Sequence, residues 1–414
     1  MSATVTSRTR WFIAAAAVGS HGSIGAVYAY SVYTKPLMAA LGWRYEQVTL
    51  AFSLAIACLG LSAAFLGKTI EQRGPRQAGT FAALCYGGGL LLAGLAVSLK
   101  SPVLFYLGYG VLGGIGLGVG YLTPVATLIK WFPDRRGLAS GLAIMGFGFG
   151  ALLAGPLVVQ LIAATGLART FMLMGGGYMA VMLVCAQVLR RPPEGWAPQG
   201  WSATGATTSS SPSVTSIAPR QALFSTRFAL LWLLFFIQVT CGIAIISAAS
   251  PMAQEIAGLT AAQAATMVGV MGLFNGFGRL GWSSFSDVIG RPATFMTFCV
   301  VQGIAFLVLP QITHPILFQG LVFLIISCYG GGFATLPAYV GDLFGGKHMA
   351  VIYGYLLTAW SAAGIAGPML AAKVRAHTGG FDGMLRYAAL GFAVALVLAV
   401  LIYAGQRRTD KQPG

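Results

Sequence analysis

The chain has 414 residues, of which 57% are hydrophobic and only 8% charged, with a mean hydropathy of +0.79, a composition that excludes a soluble globular protein. The formal net charge of +16 would suit nucleic acid only if the basic residues formed a patch. They fall instead in turns between apolar runs. With Arg279 set apart, the 25 Lys and Arg divide 17 to 7 in favour of the N-terminal side, a topology signal that places both termini in the cytoplasm and calls for no nucleic-acid partner.

A helix needs about twenty apolar residues to cross a bilayer. Such runs predict helices over 11–34, 47–67, 77–98, 103–129, 137–164, 170–189, 227–253, 261–285, 292–310, 315–342, 349–373 and 384–404. The first is too long for a signal-peptide core and continues into Tyr30-Ser-Val-Tyr-Thr-Lys35-Pro36, so it reads as a membrane span. His21 lies inside it, an intramembrane titratable group that is either a proton carrier or a neutral ring bonded to a neighbouring helix.

Between the second and third spans, Glu71, Arg73, Gly74, Pro75 and Arg76 form a polar turn, and Asp287, Gly290, Arg291 and Pro292 repeat it between the eighth and ninth. Turn chemistry alone explains the Gly and Pro. The recurrence of acid, glycine and arginine points to a gate of ion pairs that open and close, with Glu71, Arg73, Asp287 and Arg291 as its members.

Gly110, Gly113, Gly114, Gly116, Gly118 and Gly120 imitate a phosphate loop, but no strand precedes them and no Gly-Lys-Ser/Thr follows. Gly110, Gly114 and Gly118 recur every fourth residue, which lets helix backbones approach closely, as do Gly137 with Gly141 and Gly146 with Gly150. Cys58, Cys85, Cys185, Cys241, Cys299 and Cys328 all sit in apolar spans with no metal-binding spacing, so no disulfide, metal or cofactor is expected.

From 191 to 226 the chain turns polar and small, with Pro192-Pro193-Glu194-Gly195 and a Thr/Ser-rich run, the composition of a flexible cytoplasmic linker. It separates six-helix halves at 1–190 and 227–414. Pro124 with Trp131-Phe132 has a counterpart in Pro337 with Leu343-Phe344, and Ala154-Gly155-Pro156 recurs as Ala366-Gly367-Pro368. Phe132 to Phe344 and Pro156 to Pro368 share one spacing, 212 residues. Both halves enter from the same side, so the expected fold is an all-α membrane protein of twelve transmembrane helices in two parallel, pseudo-symmetric bundles. Such carriers bind substrate at the repeat interface near the midplane.

The eighth span, Val268-Gly-Val-Met-Gly-Leu-Phe-Asn275-Gly-Phe-Gly-Arg279-Leu-Gly-Trp282, holds one cation and no acid. A charge at membrane depth costs roughly 2.5–3.5 kcal/mol on insertion scales. An arginine snorkelling to the rim is the plain reading; the amide four residues earlier on its face favours a cation that awaits an anion.

These residues carry a family resemblance. Trp131-Phe-Pro-Asp134-Arg135-Arg136-Gly137, with Asn275-Gly-Phe-Gly-Arg279 and Ser286-Asp287-x-x-Gly290-Arg291, resembles the monocarboxylate porter family of the major facilitator superfamily, in particular its bacterial lactate-type and oxalate:formate antiporter branches. The similarity covers both halves and misses the linker and tails. It implies an anion-binding role for Arg279, with Asn275, Tyr28, Tyr121, Tyr329 and Phe333 as its companions around the substrate; Tyr121 maps onto Phe333 by the 212 spacing. Arginine suits a carboxylate because its planar fork donates two parallel hydrogen bonds.

Two departures bear on substrate and coupling. The oxalate branch is expected to carry a second cation where this chain has Trp360, which argues for monocarboxylates such as lactate or pyruvate. Animal proton-coupled members place an aspartate where this chain has Asn275, so a proton would have to ride elsewhere, on His21 first and on Glu255 second. The resemblance thus implies a transporter in a bacterial inner membrane, monomeric, without catalytic activity and driven by proton symport. Anion exchange is the alternative, and a membrane-embedded enzyme or sensor a remote one.

Overall fold

The computed structural model describes residues 7–132, 136–193, 196, 217–345 and 348–410, and the described elements are all helical. The backbone divides into two compact units, Met1–Thr208 and Ser209–Gly414. In the first unit α1 (Ser7–Gly25) passes through a 3-10 turn, Ala26–Ala29, into α2 (Ser31–Leu41). There follow α3 (Tyr45–Arg73), α4 (Pro75–Ser98) and the short α5 (Pro102–Phe105), which runs through a π-helical segment, Tyr106–Leu112, into α6 (Gly113–Trp131). α7 (Arg136–Thr165) and α8 (Leu167–Val188) complete the unit.

The second unit opens with a short α9 (Pro219–Leu223), then α10 (Thr226–Ile256), α11 (Ala261–Ile289), α12 (Arg291–Val308) and α13 (Pro315–Phe344). α14 (Met349–Leu356) leads into α15 (Thr358–Thr378), and α16 (Asp382–Asp410) closes the chain. Every predicted span has its helical stretch. Most reach a few residues further than predicted, because amphipathic turns at the rims prolong them past the last apolar residue.

Ten of these stretches are long and apolar enough to cross a membrane, and α7 supplies a shorter apolar run, Phe149–Thr165. α11 is absent from that set, since Gln263, Asn275, Arg279 and its serines dilute its hydropathy. The helix least suited to hydrocarbon is therefore the one that holds the buried cation.

Local chemistry sets the helix ends. α3 and α11 both stop at a glycine with positive φ, Gly74 at 87° and Gly290 at 85°, a backbone region costly for a side chain. Pro75 and Pro292 then occupy the first turns of α4 and α12, where a missing N–H costs nothing. The side chains of Ser225 and Thr260 cap α10 and α11 by accepting from Phe228 N and Gln263 N.

The glycine stripe packs as expected. A Cβ on Gly110, Gly114 or Gly118 would lie within 2.8 Å of α3 atoms, against Leu54, Cys58 and Ser62 respectively, so α6 and its π segment touch α3 backbone to backbone. Within the polar segment at 191–226, the described residues 191–193, 196 and 217–226 make defined contacts. Trp196 tilts against Trp131 at 5.1 Å, Ile217 N donates to Phe344 O at 3.0 Å, and α9 buries Ala222. A half-buried indole and a proline-started helix turn hold the chain there despite its polar composition.

Candidate functional site

Arg279 lies within the second unit, only 6% exposed, on the face of α11 that meets α13. The two helices cross on glycine. A Cβ on Gly278 would stand 2.2 Å from Ser327 O, and one on Gly330 would stand 2.2 Å from Asn275 O and 2.7 Å from its Oδ1. The crossing is pinned further by Trp282 Nε1, which donates to Ser327 Oγ at 3.2 Å.

Close approach boxes in Asn275, and its Oδ1 accepts from Arg279 Nε at 3.3 Å, one helical turn away. A guanidinium held at Nε has its plane fixed, and with it the direction of its Nη pair. Below it lies Phe333 of α13, whose ring centroid is 5.4 Å from Arg279 Cζ, a cation–π distance. Phe333 in turn meets Tyr329 at 5.2 Å, Trp360 of α15 at 5.0 Å and Phe235 of α10 at 5.0 Å. An ion–dipole bond and an aromatic face offset part of the cost of burying the charge.

Of the residues singled out from sequence, Arg279, Asn275, Tyr329 and Phe333 therefore converge. Phe235 and Gln238 were missed. Gln238 is 2% exposed and donates through Nε2 to Cys328 O at 3.1 Å, and Gly332 leaves room for its amide. A lone glutamine within the apolar run of α10 was the available signal.

The first unit holds a second buried constellation. His21 on α1 is fully buried, and its Nε2 donates to the backbone oxygen of Tyr121 on α6 at 3.0 Å, since a carbonyl can only accept. The imidazole stacks on the Tyr121 ring at 5.4 Å and meets Phe147 of α7 edge-on at 6.2 Å. Phe147 also receives Tyr28 at 5.0 Å and Tyr121 at 6.0 Å, so it is the hub of this cluster. Its place in Gly146-Phe-Gly-Phe-Gly150 hid it within a glycine run. Gly25 and Gly150 permit the approach: a Cβ there would meet Phe147 O at 2.1 Å and Gly22 O at 1.9 Å.

The other titratable candidate, Glu255 at the end of α10, pairs with Arg375 of α15 at 2.9 Å, both partly exposed. Arg375 also lies over Phe381 at 4.7 Å. In the repeated turns, Arg291 pairs with Asp287, and its Nε lies 3.7 Å from Asp342 Oδ2 at the end of α13. Asp342 was not singled out, because it sits outside the repeated turn. Arg73 is exposed, and the Glu71 side chain lies outside the described residues, as do Asp134 and Arg135 of the turn after α6.

An all-helical chain of two units, each built from bilayer-length helices around a few buried polar groups, is the construction of a membrane carrier. Residues 12–368 match the family model described as Major Facilitator Superfamily, and the chain belongs to that superfamily of multi-pass membrane transporters. It is 28% identical to the oxalate:formate antiporter of Oxalobacter formigenes, over 97% of this chain and 94% of that protein. It is 26% identical to apicoplast pyruvate carrier 1 of Toxoplasma gondii, over 77% of this chain and 69% of the relative. Among solved structures, a D-xylose-proton symporter superposes with a TM-score of 0.69 at 20% identity, covering 96% of this chain and 97% of that one, a likeness of fold.

Proposed function

We propose that this transporter carries small monocarboxylates, lactate and pyruvate among them, by alternating access and in symport with a proton. The observation that carries the reading is the buried Arg279 held at Nε by Asn275, above an aromatic floor of Phe333. A carboxylate meets the Nη pair of that fork in two parallel hydrogen bonds, and the substrate's short apolar body rests among Tyr329 and Phe333. By the family resemblance Tyr28 and Tyr121, which meet at Phe147 in the first unit, also serve the substrate. His21, or Glu255 as the second candidate, takes the proton that accompanies the anion. The turns with Glu71 and Arg73, and with Asp287 and Arg291, gate the cytoplasmic face. The protein works as a monomer in a bacterial inner membrane, with both termini in the cytoplasm, as the bias of basic residues supports.

Exchange of anions is the second reading, and the similarity to the oxalate:formate antiporter over nearly the whole chain favours it. Valence separates the two. Trp360, 1% exposed, places an indole rather than a second cation against Phe333. A dianion at one arginine keeps an uncompensated charge in a low-dielectric site, which costs several kcal/mol. In cells lacking other carriers, excess pyruvate is therefore expected to abolish uptake of labelled lactate, while the same excess of oxalate leaves most of it. Strong inhibition by oxalate would move the protein to the dianion exchangers.

A further inference from the structure

We infer that the first unit encloses a second polar site, separate from Arg279, in which the hydroxyls of Tyr33, Tyr86, Tyr109 and Tyr178 hold a cluster of internal water at membrane depth.

Glycine gathers the four phenols. α4 carries Tyr86-Gly87-Gly88-Gly89 and α8 carries the reverse order, Gly175-Gly176-Gly177-Tyr178, each near the middle of its helix. The two runs cross backbone to backbone: a Cβ on Gly87 would stand 2.3 Å from Met179 Cβ and 2.9 Å from Gly175 O. The tyrosines that border the runs stack, with ring centroids 5.9 Å apart. Gly89 admits the π-helical segment, since its Cβ would meet Gly108 O at 2.6 Å, and Tyr109 is the next residue. Such turns appear frequently at functional sites. Tyr33 of α2 completes the group. It stacks on Phe171 at 4.4 Å, the ring that Tyr109 meets edge-on at 6.3 Å. Tyr30 touches both, Tyr33 at 6.3 Å and Tyr109 at 4.8 Å.

Tyr33, Tyr86 and Tyr109 are 5%, 3% and 6% exposed, and Tyr178 is half-buried. None of the four hydroxyls makes a hydrogen bond to another described residue. Their neighbour Tyr30 differs, because its hydroxyl donates to Val48 O at 2.6 Å. The four oxygens lie close enough for each to act electrostatically on the other three, so they face one space. Packing seals the Tyr339 hydroxyl of the second unit completely but leaves these oxygens open to a water-sized neighbour. A buried phenol hydroxyl without a partner is costly, and lipid offers it none. Each phenol donates one hydrogen bond and accepts others, and a buried water makes about three. The four groups are neutral, which suits water rather than an ion.

The test is X-ray radiolysis of the full-length protein in nanodiscs, read by mass spectrometry. The beam splits bound water where it sits, so a side chain beside internal water is hydroxylated even where bulk solvent does not reach. Tyr33, Tyr86 and Tyr109 should be labelled severalfold faster than Tyr30, which is 1% exposed. Tyr86→Phe keeps the ring and removes one partner of the water. It should lower labelling at Tyr33 and Tyr109, and lower the thermal midpoint. Labelling no faster than that of Tyr30, or equalled by radicals generated in bulk solvent, overturns the proposal. So does a Tyr86→Phe variant with unaltered labelling or a raised midpoint, since a dry hydroxyl is better removed. If Tyr86→Phe does not fold, Tyr109→Phe is read in the same way at Tyr33 and Tyr86. Arg279 is untouched throughout, so either result leaves the monocarboxylate reading where it stands.

Discussion

Arg279→Lys is expected to lose most lactate uptake although it keeps the positive charge. Lysine offers one rotating ammonium in place of the planar fork, has no Nε to give Asn275, and makes a weaker contact with the Phe333 face. Losing one charge-assisted hydrogen bond is worth about 1.5–3 kcal/mol, so uptake at low substrate should fall roughly tenfold to a hundredfold. Arg279→Ala should fall further. Uptake is to be compared at matched membrane expression, and near-normal rates in Arg279→Lys would reject the arginine as the anion's clamp.

Gly330→Ala should be nearly as damaging, without touching a charge. Its Cβ would stand 2.2 Å from Asn275 O and 2.7 Å from Oδ1, so α11 must shift or the amide must turn away from Arg279. Overpacking of this kind costs about 1–3 kcal/mol. The thermal midpoint should drop and lactate affinity with it. Gly320→Ala, on the same helix with nothing within 4 Å of its Cβ, is the matched control and should leave both unchanged. Equal behaviour of the two variants would show that the crossing does not position Asn275.

Much of this was legible in the sequence because membrane helices advertise themselves twice, by apolar length and by the residues that break it. The predicted spans all became helices, and the Gly110, Gly114 and Gly118 stripe met α3 as its spacing required. The Asn275–Arg279 contact followed from a separation of four residues on one helix. What the sequence hid were contacts made across helices. Phe147, Phe235 and Gln238 carry no local signal beyond their type, and only packing makes them neighbours of His21, Phe333 and Cys328. The π-helical turn at Tyr106–Leu112 was equally hidden, because it answers to the tight contacts of Gly108 with Gly89 and of Gly110 with Leu54, not to hydropathy. The contacts that Trp196 and Ile217 make were hidden by the composition of the segment at 191–226, which is dominated by small polar residues.

His21 illustrates how geometry sharpens an open choice. Its Nε2 is committed to the Tyr121 carbonyl, which requires a proton on that nitrogen. Glu255, tied to Arg375, would have to break an ion pair each time it accepted one.

Uptake of labelled lactate into proteoliposomes with nothing loaded inside tests the central claim most directly, with an acid-outside pH gradient imposed and then collapsed by an uncoupler. Symport at a single arginine predicts accumulation that rises with the gradient, vanishes with the uncoupler, is lost in Arg279→Lys, and loses its pH response in His21→Ala while lactate still binds. Uptake that ignores the gradient and appears only when a carboxylate is preloaded inside would contradict it, and would make the protein an anion exchanger.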